Sequence, residues 1–219
     1  MKQVVAVCVL VILMGAVSLN ASTIAYTDPG LQGTQAWGGN LGLNFNVLSP
    51  ITVTDLGVFN AAGNGFITGT ISVVIYDMTS HTQVTPVVTF HGAYTTGGLG
   101  FDVFQAISPV TLGPGSYQVD AVGFSGADLN GNLNTGLSSG SVLNTGGGKV
   151  VFNGASWDGS NVLDNPTTCS SCVGLPGQSS QFDAGTFAFI TAVPEPGALG
   201  LLGTSVLAAA AMLRRKIGR

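Results

Sequence analysis

Between the two ends of the chain, apolar residues recur at every second position in short runs that Gly, Asn and Pro interrupt. The clearest run is Thr70–Asp77, where Ile71, Val73 and Ile75 fall on one face and Ser72, Val74 and Tyr76 on the other. Successive side chains of an extended backbone point to opposite faces, so the first set is expected in a core. Ile51-Thr52-Val53-Thr54 alternates likewise and continues through Leu56 and Val58-Phe59. Asn60–Gly65 reads as a turn cluster, since Asn and Gly tolerate positive φ. Val87–Phe90, Phe101–Phe104, Ser116–Phe124, Lys149–Phe152 and Thr186–Ile190 complete the predicted strands, and Pro86 marks an edge or a strand start. No stretch between the termini carries apolar residues at helical spacing over three turns. The pattern predicts an all-β domain, a β-sandwich or jelly roll. Two segments stay irregular: Ala127–Gly148, with a poor strand around Leu137–Leu143 or a long loop, and Ser160–Gln178, which holds Pro166 and Pro176.

The termini follow other patterns. Lys2 precedes the apolar run Val4–Val17, and Ala16-Val17-Ser18 fits a small-x-small cleavage pattern, with Ala21 as a second possible end. Residues 1–21 are expected to be a secretory signal peptide. Cys8 lies within the apolar run, not after it as a lipoprotein cysteine would, and is expected to leave with it. At the other end, Val193-Pro194-Glu195-Pro196 makes a stiff, extended segment, because each proline fixes φ and disfavours helix just before it. Gly197–Leu213 carries no charge; as a helix it spans roughly 25 Å, just short of a bilayer core of about 30 Å. Arg214, Arg215, Lys216 and Arg219 then hold that end on the cytoplasmic side. The division is therefore a signal peptide at 1–21, an ectodomain at 22–192 and a tail at 193–219, made of a motif (193–196), a transmembrane helix (197–213) and a basic end (214–219).

This ordered tail resembles the PEP-CTERM protein-sorting signal, also described as the C-terminal domain of ice-binding proteins. The resemblance implies recognition at Pro194-Glu195-Pro196 by a membrane-embedded exosortase, cleavage, and transfer to a surface acceptor in bacteria that make exopolysaccharide. The expected route is the Sec translocon, then the inner membrane, then the cell surface or extracellular matrix. Within the domain, Leu112-Gly113-Pro114-Gly115-Ser116-Tyr117 looks like the Leu-x-Pro-Gly-x-Tyr approach to a late strand in Ig-like sandwiches, whose Tyr hydroxyl bonds nearby backbone. Together with Ser49–Phe59 and Gly69–Tyr76, it resembles the ectodomains that precede PEP-CTERM tails. An ice-binding activity is not carried onto the domain, which has no regular Thr-x-Thr ladder.

Charge changes the picture of partners. The net charge of -4 over the whole chain hides a more acidic domain. Between Ser22 and Ala192 stand nine aspartates, one base (Lys149), no arginine and no glutamate, a net of about −8. A polyphosphate partner would meet a repulsive field and no basic patch, so nucleic-acid binding is not expected.

Candidate chemistry is sparse. Cys169-Ser170-Ser171-Cys172 is the one cysteine pair retained after processing, and in an exported protein a disulfide is its first reading. A redox motif wants a strand-to-helix setting, and a structural zinc wants two more ligands. Asp128-Leu129-Asn130-Gly131-Asn132 has the alternation of a calcium loop but departs from the EF-hand pattern in its glycine and in Ser139 at the twelfth position; a turn is favoured. His81 and His91 stand in no triad or ligand motif, and no Gly-x-Ser-x-Gly elbow is present. No catalytic residue, metal or cofactor is assigned. Trp37 and Trp157 are either glycan-stacking platforms or core residues. Three functions follow: a non-catalytic surface or matrix protein associated with exopolysaccharide, a lectin-like carbohydrate-binding module, and a secreted hydrolase using paired aspartates.

Overall fold

The computed structural model describes residues 22–27, 33–95, 102–132, 142–165 and 182–191. Every regular element among them is a strand: β1 (Thr23–Ile24), β2 (Tyr26–Thr27), β3 (Leu41–Val47), β4 (Ile51–Phe59), β5 (Phe66–Asp77), β6 (Thr82–Gln83), β7 (Val88–Ala93), β8 (Asp102–Leu112), β9 (Gly115–Val122), β10 (Gly131–Asn132), β11 (Val142–Leu143), β12 (Val150–Trp157), β13 (Phe182–Asp183) and β14 (Gly185–Thr191). The domain is all-β, as the alternation predicts. One sheet has the order β1-β14-β4-β8; the larger runs β12-β3-β9-β5-β6, with β7 also on β5. Two short pairs, β10-β13 and β11-β2, complete the set.

The two main sheets share one apolar core. The larger sheet contributes Leu41, Leu43, Phe45 and Val47 from β3, Ile71, Val73 and Ile75 from β5, and Tyr117, Val119 and Ala121 from β9. The smaller contributes Ile51, Val53, Leu56 and Val58 from β4 and Phe187 and Phe189 from β14. In β4 the buried set changes phase between Val53 and Leu56, and there the register slips against both neighbours. Thr54 is the extra residue of a bulge, which moves the apolar side chains back to the core after an odd step. β8 extends well past the expected Phe104 and includes Pro109. It is the edge strand of its sheet, where a residue without an N–H is tolerated.

The Tyr117 hydroxyl donates to the Gly113 carbonyl at 3.0 Å, the corner bond that the Leu112–Tyr117 segment predicts. β3 is absent from the strands expected above. Its Leu41, Leu43, Phe45 and Val47 alternate without a break, but Gly42, Asn44 and Asn46 between them are turn-forming residues and mask the period. β3 lies inside the larger sheet, paired along its length with β9 and β12.

Candidate functional site

The outer face of the larger sheet does not simply meet solvent. Opposite the core-facing residues of β3, β9 and β5 stand Asn44 and Asn46, Ser116, Gln118 and Asp120, and Val74 and Tyr76; Gln118, Asp120, Val74 and Tyr76 are all buried. Amides and hydroxyls on this face form a ladder. Ser116 Oγ donates to Asn46 Oδ1 at 2.8 Å, Gln118 Nε2 to Asn44 Oδ1 at 2.7 Å, and Asn44 Nδ2 to Ser156 Oγ at 2.9 Å. Gly42 makes room for this ladder: a Cβ there would lie 2.5 Å from Gln118 Cδ.

The cover is the segment after β12, Asp158 to Asn165. Asn165 Nδ2 donates to Gln118 Oε1 at 2.9 Å, and Asn165 Oδ1 meets His81 Nδ1 at 2.7 Å. The Asp158 N–H donates to the Asn40 carbonyl at 3.2 Å, and the Asp158 carboxylate accepts from the Ser160 N–H at 2.9 Å. Asn40, which immediately precedes β3, is the centre of this cover. Its Nδ2 lies 3.1 Å from Asp158 Oδ1, 3.2 Å from the Ser160 carbonyl, 2.8 Å from the Val162 carbonyl and 2.9 Å from Asp164 Oδ1. Its Oδ1 accepts from the Asp164 N–H at 3.3 Å.

Asp120 forms the floor. It alternates with the core residues Val119 and Ala121, is fully buried, and among the described residues neither carboxylate oxygen has a hydrogen-bond partner. Burial pushes its pKa well above the usual carboxylate range, and the charges of Asp158 and Asp164 push the same way. The Ala121 and Leu41 backbone groups oppose this only in part, since neither reaches it in bonding geometry. Asp164 is raised by desolvation first, then by the charge of Asp158 and a hydrogen bond shared with it. Burial also raises the Tyr76 phenol, with Asp120 and Asp164 adding to it.

The two tryptophans meet beside this cover. Their rings stand edge to face, with centroids 5.3 Å apart and planes at 88°. Trp37 packs against the core, and its Nε1 donates to the Asp158 carbonyl at 3.0 Å. Trp157, at the end of β12, is 36% exposed. The approach is tight: a Cβ on Gly39 would stand 2.2 Å from the Asp158 carbonyl oxygen and 2.8 Å from Trp37 Nε1.

Other sequence candidates fall elsewhere. Asp128 accepts from the Thr68 and Gly69 N–H groups at 2.9 and 2.6 Å, so its carboxylate ties the turn to β5. Asn130 bonds the Trp37 N–H and Gln35, again a structural use. His91 bonds the Gly69 carbonyl. Asp77 holds the Ser80 and Thr79 N–H groups, and these bonds keep its pKa below the usual value. Cys169 and Cys172 lie outside the described residues, as do the sorting motif Val193–Pro196, the apolar stretch 197–213 and Arg214, Arg215, Lys216 and Arg219. The Asn40–Asp120–Asp164 group is absent from the sequence-level candidates. Its only signal is the pair of carboxylates Asp158 and Asp164, six residues apart, because the oxygens supplied at Ser160 and Val162 are main-chain carbonyls.

Residues 192–216 match the PEP-CTERM protein-sorting motif. The match takes in Val193, Pro194, Glu195, Pro196, Arg214, Arg215 and Lys216. It implies processing by an exosortase at the membrane, and so an exported protein that is anchored in the membrane before it reaches the surface. No curated protein matches the chain.

Proposed function

We propose that the chain is a non-catalytic surface or extracellular-matrix protein whose β-sandwich, residues 22–192, is delivered through the Sec translocon and inner membrane and held among exopolysaccharide. The carrying observation is the PEP-CTERM motif at 192–216. The non-catalytic reading is supported by the use of the described carboxylates. Asp128 and Asp77 hold backbone N–H groups, and Asp158 and Asp164 converge on one amide nitrogen instead of facing each other across a sugar-sized gap. Cell fractionation tests the location. The protein is expected on the surface of wild-type cells and in the medium of a strain lacking exopolysaccharide. Equal surface retention in the two strains would reject the association.

A second reading, carbohydrate binding, draws on the meeting of Trp37 and Trp157. Trp157 is partly exposed beside Asp158, whereas Trp37 is committed to the core and to a backbone carbonyl. A glycan array with the full chain and its Trp157→Ala variant checks this. Binding that Trp157→Ala abolishes supports a lectin; an array on which wild type binds nothing removes that reading.

A further inference from the structure

We propose that Asp158, Asp164 and the main-chain carbonyls of Ser160 and Val162 form a calcium site beside the buried Asp120. The first observation is geometric. Four oxygens, from Asp158, Ser160, Val162 and Asp164, all face one point, the Asn40 amide nitrogen, at 2.8–3.2 Å. An amide nitrogen has two hydrogens and can serve two acceptors, not four. A cation serves all of them. Calcium–oxygen contacts run about 2.3–2.6 Å, so the ring needs to close by roughly half an ångström around an ion that displaces the amide.

The second observation is independent of that ring. Asp120 is fully buried on the face of the sheet that the ring covers, and both of its carboxylate oxygens lack a hydrogen-bond partner among the described residues. Asp120 pairs with Gly42, two residues from Asn40, so it stands on the same face of the sheet as the ring. A buried carboxylate without a donor or counter-ion is costly. Lys149 is the single lysine or arginine among the described residues, and it precedes the far end of β12 from Asp158, about 30 Å away along the strand. His81 lies nearby but is turned to Asn165. Three carboxyl groups therefore meet with no Lys or Arg between them among the described residues.

The ligand set selects the metal class. All donors are oxygens, which suits a hard cation. Donors at every second residue, 158, 160, 162 and 164, wrap the backbone round the ion, as calcium loops do. Among the described residues no group of three His, Cys, Asp or Glu is placed to hold a metal, so the ion's protein ligands are the two carboxylates of Asp158 and Asp164 and two main-chain carbonyls, with Asp120 behind them. Magnesium prefers a tighter octahedron with several waters retained, which a ring of protein carbonyls does not favour. Asp164 and Val162 are exposed, so an ion reaches the ring from solvent. The bound ion would fasten segment 158–165 over the sheet and fix the edge that carries Trp157.

Calorimetric titration of the full-length chain in mild detergent with calcium chloride tests this, alongside thermal melts in calcium and in EDTA. One ion per chain is expected, with a midpoint of about 0.1–1 mM, the range of extracellular calcium modules, and a higher melting temperature in calcium than in EDTA. Asp164→Asn, at the exposed rim, should weaken binding by tenfold or more, on the order of a lost ligand contact. Asp120→Asn keeps the shape and removes a buried charge; it should melt no lower than wild type in EDTA and lose the calcium shift. A merely structural Asp120 would instead give a variant that melts lower in both. Asp55→Asn, on β4 of the other sheet, should bind as wild type does. The proposal is overturned if wild type shows no calcium-dependent shift up to about 10 mM, well above that affinity range, if magnesium binds equally well, or if Asp164→Asn binds calcium unchanged.

Discussion

Replacing Pro194-Glu195-Pro196 by three alanines is expected to leave the full-length chain in the inner membrane. The motif lies inside the matched sorting segment, and its chemistry explains the expectation. Each proline fixes φ near −65° and removes an N–H, so the residues around Glu195 cannot join a following helix. A protease reads an extended backbone, and proline on both sides of Glu195 favours one. Alanine is the best helix former, and three in succession would let helix propagate from the apolar stretch into the cleavage segment. Arg214, Arg215 and Lys216 would still oppose transfer, because charged side chains cross hydrocarbon at a cost of about 2.5–3.5 kcal/mol each on insertion scales. Immunoblotting of separated membrane and surface fractions should then show one full-length membrane band for the variant, and the same band for wild type in cells lacking exosortase. Surface display of the triple-alanine variant at wild-type level would mean that the segment acts only as an anchor.

Period-two alternation makes much of the fold legible in the amino-acid sequence. The run Ile51–Phe59 matches β4 end to end, although the bulge at Thr54 that shifts its phase against β14 is not legible in it. β5 contains the predicted Thr70–Asp77, and its core face is Ile71, Val73 and Ile75 as expected. Tyr117 makes its corner bond. The omission of β3 has a physical cause. On a face that water wets, Asn and Gly favour turns, but here their amides are paired across strands, and tertiary bonding outweighs local preference.

The candidate site is hidden for a related reason. Val74, Tyr76, Gln118 and Asp120 alternate with core residues and read as a solvent-facing row. Nothing in their own strands shows that a distant segment, 158–165, covers them. The spacing Asp158-x-Ser160-x-Val162-x-Asp164 carries two carboxylates that the sequence displays and two main-chain carbonyls whose direction depends on the path of the backbone. The same limit holds for the tryptophans. Their pairing depends on the register Trp157↔Leu41, which brings the end of β12 beside the start of β3.

Phe45→Ala is expected to have the largest effect on stability of any single substitution in the larger sheet. Phe45 is fully buried in the middle of β3. Its ring lies 4.7 Å from that of Phe187 on the opposing sheet, 5.8 Å from Tyr117 on one neighbouring strand and 6.4 Å from Phe152 on the other. It is therefore the aromatic that joins the two sheets to each other and β9 to β12. Truncation removes the transfer term of a whole ring and leaves a cavity whose walls are other rings, held by strands that cannot collapse inward. Such changes cost about 3–5 kcal/mol, against about 5–15 kcal/mol for the total stability of a typical domain. Salt bridges offer little to offset the loss, with nine aspartates and one lysine between Ser22 and Ala192. In denaturant titrations followed by tryptophan fluorescence, the variant's midpoint should fall sharply with little change in slope, whereas Phe45→Leu should retain more than half of the lost stability. A Phe45→Ala variant that unfolds within about 1 kcal/mol of wild type, the ordinary size of a surface or mild substitution, would mean that this aromatic cluster does not hold the sheets together.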